Sequence, residues 1–408
     1  MTQESIIVVG AGHSGAKAAA ALRKHGWTGP ITLIGDESHA PYDRPPLSKA
    51  VLLGKKTSDQ CGFFPAAWYV DNGIELLLGE PVACIDRPQQ YVILGDGRAL
   101  YYHRLLLATG SALNPLRVAG VDLENVWPLR TPYHADAIAR LLQPGQRLVV
   151  IGAGVIGMEV AAAGIERGCT VHVLEAAAHA MARSLPLSVS SALIDVHRNR
   201  GVDVRFGAGI SALEGDKAVS AVRLTTGEAL ACDLVVYGIG VRPRTELADG
   251  AGLSWDDGVR TNSFLQTDDE KIFACGDVCR YESRIFGRPL RLENWRNAED
   301  QADAAARNML GQNKVFDAVP WFWSNQFDIT LQVAGLPILG ETTVARSLGS
   351  SRLYLSIDRE GALRGASGLG FVRDVATPIR KLRAALASGC SFEPDRIDDR
   401  LQEILAGS

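Results

Sequence analysis

Residues 5–36 read SIIVVGAGHSG, then AKAAAALRKHG and, after a short turn, ITLIGD; residues 147–175 read RLVVIGAGVIG, then MEVAAAGIERG and VHVLE. Each stretch opens on a continuous apolar, β-branched run, the pattern of a parallel strand buried on both faces. An Ala-rich segment follows and ends at a glycine, which predicts a helix and its stop. A second apolar run closes each stretch, so the chain contains the strand–helix–strand plan twice.

Both turns carry the spacing Gly-x-Gly-x-x-Gly, at Gly10, Gly12 and Gly15 and again at Gly152, Gly154 and Gly157. The first glycine allows a tight turn, the second lets the backbone approach a pyrophosphate, and the third lets helix and strand pack closely. The helix start then offers free N–H groups and a partial positive charge to phosphate oxygens. An acid follows each closing strand, Asp36 or Glu37 in the first unit and Glu175 in the second, where it can accept hydrogen bonds from a ribose. A carboxylate at Glu175 would also repel a 2′-phosphate, which favours NADH over NADPH, although Arg183 lies nearby. Two dinucleotide sites are therefore expected. The runs Leu105–Gly110 and Leu234–Gly240 read as buried strands ending in glycine, where backbone can come close to a ligand.

Beyond residue 320 the texture changes. ITLQVAG, RLYLSID and ALRGASG alternate as antiparallel strands do, residues 372–386 form an amphipathic pattern, and the last dozen residues read as a helix or a frayed end. The expected fold is α/β, with two Rossmann-like domains and a C-terminal α+β domain. The boundaries fall at residues 1–112 with 243–320, at 113–242, and at 321–408.

Composition restricts the rest. A content of 47% hydrophobic and 22% charged residues is ordinary for a globular chain, and a net charge of −4 does not argue for nucleic acid or membrane. The strand-like Ile6–Val9 run begins too early for a signal peptide, and no apolar run reaches the ~18 residues of a membrane span. Seven scattered cysteines fit a reducing cytoplasm. No four-cysteine iron–sulfur pattern or other metal set is present, and Cys275 and Cys279 read as buried thiols. His13, inside the first turn, is expected on the solvent side.

The order of these motifs resembles the pyridine-nucleotide-dependent flavoproteins of the glutathione-reductase type. The likeness spans residues 5–280 and includes Leu107-Ala108-Thr109-Gly110 and DDEKIFACGDV at 268–278. It implies FAD at the first fingerprint and NAD(H) at the second, with Asp277 at the flavin ribityl chain. Disulfide reductases of that type carry a cysteine pair after the first unit. Here the segment reads PYDRPPLSK, residues 41–49, without cysteine, and the nearest, Cys61, lies twelve residues past Lys49, which argues against a thiol relay. That pattern resembles the ferredoxin reductases of bacterial oxygenase systems.

The resemblance implies Lys49 near flavin N5 and Glu159 near the nicotinamide, as a partner for Lys49. The implied FAD residues are Gly10, Gly12, Ser14, Gly15, Asp36, Glu37, Arg44, Lys49, Val82, Thr109, Gly110, Arg130, Asp277 and Trp295. The implied NAD residues are Gly152, Gly154, Ile156, Gly157, Glu159, Glu175, Arg183, Gly238, Ile239 and Gly240. Trp321 and Trp323, in the PWFWS run at 320–324, either face the flavin or fill the core. The expected partner is an acidic iron–sulfur ferredoxin, steered by Arg280, Arg284, Arg288, Arg291 and Arg296. The expected activity is NADH:ferredoxin oxidoreduction, feeding an aromatic-ring dioxygenase or a haem monooxygenase. Two alternatives share the fold: an NADH oxidase or peroxidase, and a flavoprotein like apoptosis-inducing factor.

Overall fold

The computed structural model describes residues 4–406, and both Gly-rich stretches are strand–helix–strand units. Ile6–Val9 and Ile31–Gly35 run parallel, Ile6 beside Ile31, joined through the His13–Lys24 helix. Arg147–Ile151 and Thr170–Glu175 run parallel, Arg147 beside Thr170, joined through Val155–Glu166. The two helices are followed by Gly26 and Gly168, both at positive φ (93° and 83°), which ends each helix in the left-handed region.

Contacts divide the chain into two units. The first comprises Met1–Asp43, Gly62–Ala112 and Arg242–Pro320. Its parallel sheet runs in the order Ile272–Ala274, Arg104–Leu107, Ile6–Val9, Ile31–Gly35, Ile74–Leu78. An antiparallel sheet of Val82–Asp86, Tyr91–Leu94 and Ala99–Tyr101 and a small sheet that includes Cys279–Ser283 and Arg288–Arg291 complete it. Inside it, the Trp295–Met309 helix packs along His13–Lys24.

The second unit comprises Arg44–Cys61, Leu113–Val241 and Trp321–Ser408. Its parallel sheet runs Asp203–Phe206, Thr170–Glu175, Arg147–Ile151, Leu234–Tyr237, Val126–Pro128, the same plan as the first. Buried Val149, Val222, Leu224 and Val235 join that sheet to a three-stranded one in a single core. The tail forms an antiparallel sheet in the order Trp321–Gln326, Ile329–Gly335, Leu363–Gly370, Ser351–Ile357, Thr342–Leu348. The Val372–Ala387 helix buries Val375, Ile379, Leu382 and Leu386, as its amphipathic sequence predicts.

Residues 44–61, which the sequence reading kept inside the first domain, cluster with the second unit. The reason is tertiary: Ser48 and Lys49 bond Glu159, and Ser58 donates to Asp136 at 2.7 Å. Among the described residues no helix is long and apolar enough to cross a membrane.

Candidate dinucleotide sites and a buried ion pair

Each Gly-rich turn is built by close backbone approach. At Gly10 φ is +115°, and a Cβ there would lie 2.1 Å from the Ala108 carbonyl oxygen; at Gly152 φ is +102°, and a Cβ would lie 2.4 Å from that of Gly238. A Cβ on Gly15 or Gly157 would lie 1.8 or 2.0 Å from the carbonyl oxygen of the first glycine of its own turn. Gly12 and Gly154 are the N-caps of the two helices, and neither end has a side-chain cap. The first-turn N–H groups are thus left to a ligand, as a dinucleotide pyrophosphate requires. A Cβ at Gly154, Gly110 or Gly238 would meet nothing within 4 Å. Open glycine faces beside uncapped helix starts fit a dinucleotide at each site.

In the first unit, Ser14 is buried, and its Oγ lies where a Cβ on Gly276 would come within 2.0 Å. Asp277 accepts from Ser111 Oγ at 3.0 Å, and Thr109 Oγ1 donates to the Arg244 carbonyl at 2.8 Å. Both candidate ribose acids already have partners: Asp36 pairs with Arg244 at 2.7 Å, and Glu37 accepts from the Tyr42 hydroxyl at 2.7 Å. Trp295 starts its helix and donates Nε1–H to Asp43 at 2.8 Å. Val82 begins the Val82–Asp86 strand. His13 is not a solvent-side residue: its ring packs between Phe63 and Trp295, at 4.8 and 4.7 Å between centroids. The turn aims it at the aromatic residue that opens the Trp295–Met309 helix, a neighbour invisible in local sequence. Cys275 and Cys279 are buried free thiols; burial pushes the first far above the ordinary thiol range and the second to about 12, so neither is a thiolate at neutral pH.

In the second unit, Glu175 accepts from the backbone N–H of Ala153 at 2.7 Å and of Ala177 at 2.8 Å, which locks its carboxylate beside the turn. Arg183 lies by Gly240, its Nη2 3.3 Å from where a Cβ would stand. Ile156 and Ile239 expose apolar side chains, at 39% and 37%, next to the open glycines. Arg44 precedes the Pro45–Ser48 turn, and Arg130 precedes Thr131, the N-cap of Pro132–Leu141. Trp321 and Trp323 stack at 5.1 Å.

The Val155–Glu166 helix also buries a charge. Glu159 is 4% exposed, among Gly157, Met158, Val160 and Ala161. Lys49 Nζ reaches its Oε1 at 2.8 Å, Ser324 Oγ donates to the same oxygen at 2.6 Å, and Ser48 Oγ donates to Oε2. Lys49 Nζ also donates to the Pro45 carbonyl at 3.3 Å. A buried carboxylate persists as an ion only when donors and a cation surround it, and this one has both. The two serines were not singled out in the sequence reading, although each adjoins or ends a motif that was: Ser48 in PYDRPPLSK and Ser324 in PWFWS.

The five arginines stand in different settings. Arg280, Arg288 and Arg291 lie on strands of the small sheet. Arg280 pairs with Asp256 at 2.6 Å, Arg291 with Glu293 at 2.6 Å and Asp257 at 3.0 Å, and Arg296 with Asp300 at 2.7 Å. For Arg291, burial disfavours the charge, but Glu293 and Asp257 outweigh it and raise the pKa. Arg284 and Arg288 are exposed.

Two parallel-sheet units, each with an uncapped Gly-rich helix start and an acid at the end of its second strand, define a two-dinucleotide oxidoreductase. The chain belongs to the pyridine nucleotide-disulphide oxidoreductase family, which residues 4–302 match, and residues 321–404 match the reductase C-terminal domain. The family's cofactors are FAD and NAD(H). The chain is similar to rhodocoxin reductase of Rhodococcus erythropolis, with 40% identity over 86% of this chain and 82% of that protein. It is 37% identical to the ferredoxin–NAD(+) reductase component of the anthranilate 1,2-dioxygenase system of Burkholderia cepacia, over 98% of each. The crystal structure of a covalent putidaredoxin reductase–putidaredoxin complex superposes with a TM-score of 0.92 at 37% identity, covering 99% of this chain and 98% of that one.

Proposed function

We propose that the chain is an NADH-dependent, FAD-containing reductase of an iron–sulfur ferredoxin that serves an oxygenase, either an aromatic-ring dioxygenase or a haem monooxygenase. FAD is assigned to the first Gly-rich turn with Ser14, Asp36, Glu37, Val82, Thr109, Gly110, Asp277 and Trp295; Arg44, Lys49 and Arg130, which the resemblance also gives to FAD, belong to the second unit. NADH is assigned to the second turn with Ile156, Glu159, Glu175, Arg183 and Gly238–Gly240. When bound, FAD supplies the conversion of a two-electron hydride into single electrons.

The chain's own residues supply position and charge. The uncapped helix starts hold the pyrophosphates, and Glu175, fixed by two backbone N–H groups, accepts from a ribose 2′-OH and repels a 2′-phosphate. Glu159 holds the Lys49 cation in place, and such a cation stabilises negative charge developing near it.

The observation that carries the reading is the buried Lys49–Glu159 pair, in a segment where a thiol relay would need cysteine. The similarity to a ferredoxin–NAD(+) reductase component and to rhodocoxin reductase supports the acceptor class. For docking, Arg284 and Arg288 are the favoured contacts for an acidic ferredoxin, being exposed, while Arg291 and Arg296 are held by carboxylates within the unit.

Cytochrome c reduction by NADH, with and without [2Fe–2S] ferredoxins, tests the proposal. A cognate ferredoxin should accelerate it strongly, while oxygen uptake with NADH alone stays slow. Fast oxygen uptake without a carrier would favour an oxidase instead. In the same assay Arg284→Glu with Arg288→Glu should slow ferredoxin association and flatten its salt dependence, leaving NADH-driven flavin reduction unchanged.

A further inference from the structure

Ser324, which donates to Glu159, is itself held from behind. Gln326 Nε2 donates to Ser324 Oγ at 2.9 Å, and Gln326 Oε1 lies 2.6 Å from His197 Nε2. The array is sealed from solvent: His197 and Ser324 are 0% exposed, Gln326 2% and Glu159 4%. It joins three elements of the second unit, the Leu187–Arg198 helix, the Trp321–Gln326 strand and the Val155–Glu166 helix.

Hydrogen-bond chemistry gives the array a direction. A carboxamide oxygen only accepts, so His197 carries its proton on Nε2. A carboxamide nitrogen only donates, so Ser324 Oγ accepts from it and turns its own hydrogen to Glu159. An ionised carboxylate only accepts, which ends the chain. Among the described residues His197 Nδ1 has no hydrogen-bond partner, and the ring lies 5.0 Å from Phe327. The other tautomer would require the Gln326 amide to flip, and Ser324 would then donate to Gln326 and leave Glu159. One proton position on a buried imidazole therefore decides how many donors hold Glu159 against Lys49.

We infer that His197 and Gln326 are positioning residues for Glu159, acting through Ser324 to hold the carboxylate in the orientation that engages Lys49. The inference rests on the reading of Glu159 as an acid of the nicotinamide site. Neither residue is among those assigned to a ligand, and neither stands in a motif that the sequence singles out.

Two measurements on the FAD-loaded enzyme test it. Imidazole ¹⁵N NMR of histidine-labelled protein, with His197 assigned by its loss in His197→Gln, should find the neutral Nε2–H tautomer; the Nδ1–H tautomer would overturn the inference. Stopped-flow reduction of the flavin by NADH should slow roughly tenfold in His197→Phe, which keeps the volume but not the donor. His197→Gln, whose carboxamide can donate from the same place, should recover most of the rate. Normal speed in His197→Phe while Glu159→Gln is slow would overturn the relay alone. Normal speed in Glu159→Gln would overturn the reading of Glu159 and the relay with it. Should His197→Phe fail to fold, Gln326→Leu takes its place in the same comparison.

Discussion

The two Gly-rich units share strand order, turn geometry and uncapped helix starts, and differ two residues past the third glycine. In the first unit that position is Lys17, in the second Glu159. Lys17 is 28% exposed, pairs with Glu299 at 3.0 Å and stands over the Phe63 ring. Glu159 is almost wholly buried, with Lys49 and two serine hydroxyls around it. The two lysines are similarly exposed, at 28% and 21%, and the difference lies in the carboxylates: Glu299 keeps 21% of its side chain in solvent, while Glu159 keeps 3% and needs every donor it has. Within a duplicated scaffold, the departure from the repeat marks where electrostatics are put to use.

The largest effect falls where the units are alike. Gly157→Ala drives a Cβ into the Gly152 carbonyl and should destabilise the second unit by upwards of about 3 kcal/mol, read by thermal unfolding. Gly154→Ala points into open space and should leave unfolding unchanged while raising the KM for NADH.

Acid should next separate the units. Burial lowers the His197 pKa to about 4 from an unfolded value of 6.5. The neutral ring is favoured in the fold, so its stabilisation is complete above pH 6.5 and is lost as pH falls toward 4, about 3 kcal/mol in all. Denaturant titrations across that range should show the slope, and His197→Gln should remove it.

Lys49→Met should destabilise by about 2 kcal/mol, less than a fully buried pair because Ser48 and Ser324 remain on Glu159. Glu175→Ser should shift the ratio of kcat/KM for NADH over NADPH by roughly tenfold toward NADPH. Lys17→Met should move stability by only about 0.5 kcal/mol. Equal losses for Lys17 and Lys49 would erase the distinction between the two pairs.

Much of the fold was legible because it is written in local periods. The apolar runs, the glycine spacing and the amphipathic 372–386 segment each predict an element from a few neighbouring residues. The site was legible only in part. Glu159 and Lys49 stood in recognisable motifs, but the grouping of Arg44–Cys61 with the second unit depends on hydrogen bonds to Glu159 and Asp136, far along the chain. His197 and Gln326 were missed for the same reason. A lone histidine on a helix and a glutamine on a strand carry no periodic signal, and their meeting across 129 positions is a product of tertiary packing. His13 was misread because its environment is made by Trp295 and Phe63, not by the turn that holds it.

Anaerobic titration of the purified protein with NADH, followed at the flavin absorbance, tests the central claim of two dinucleotide sites with distinct ligands most directly. The account predicts one bound FAD per chain, bleached by one equivalent of NADH and far more slowly by NADPH. A protein that retains no flavin, or whose flavin NADPH reduces as fast as NADH, would contradict it.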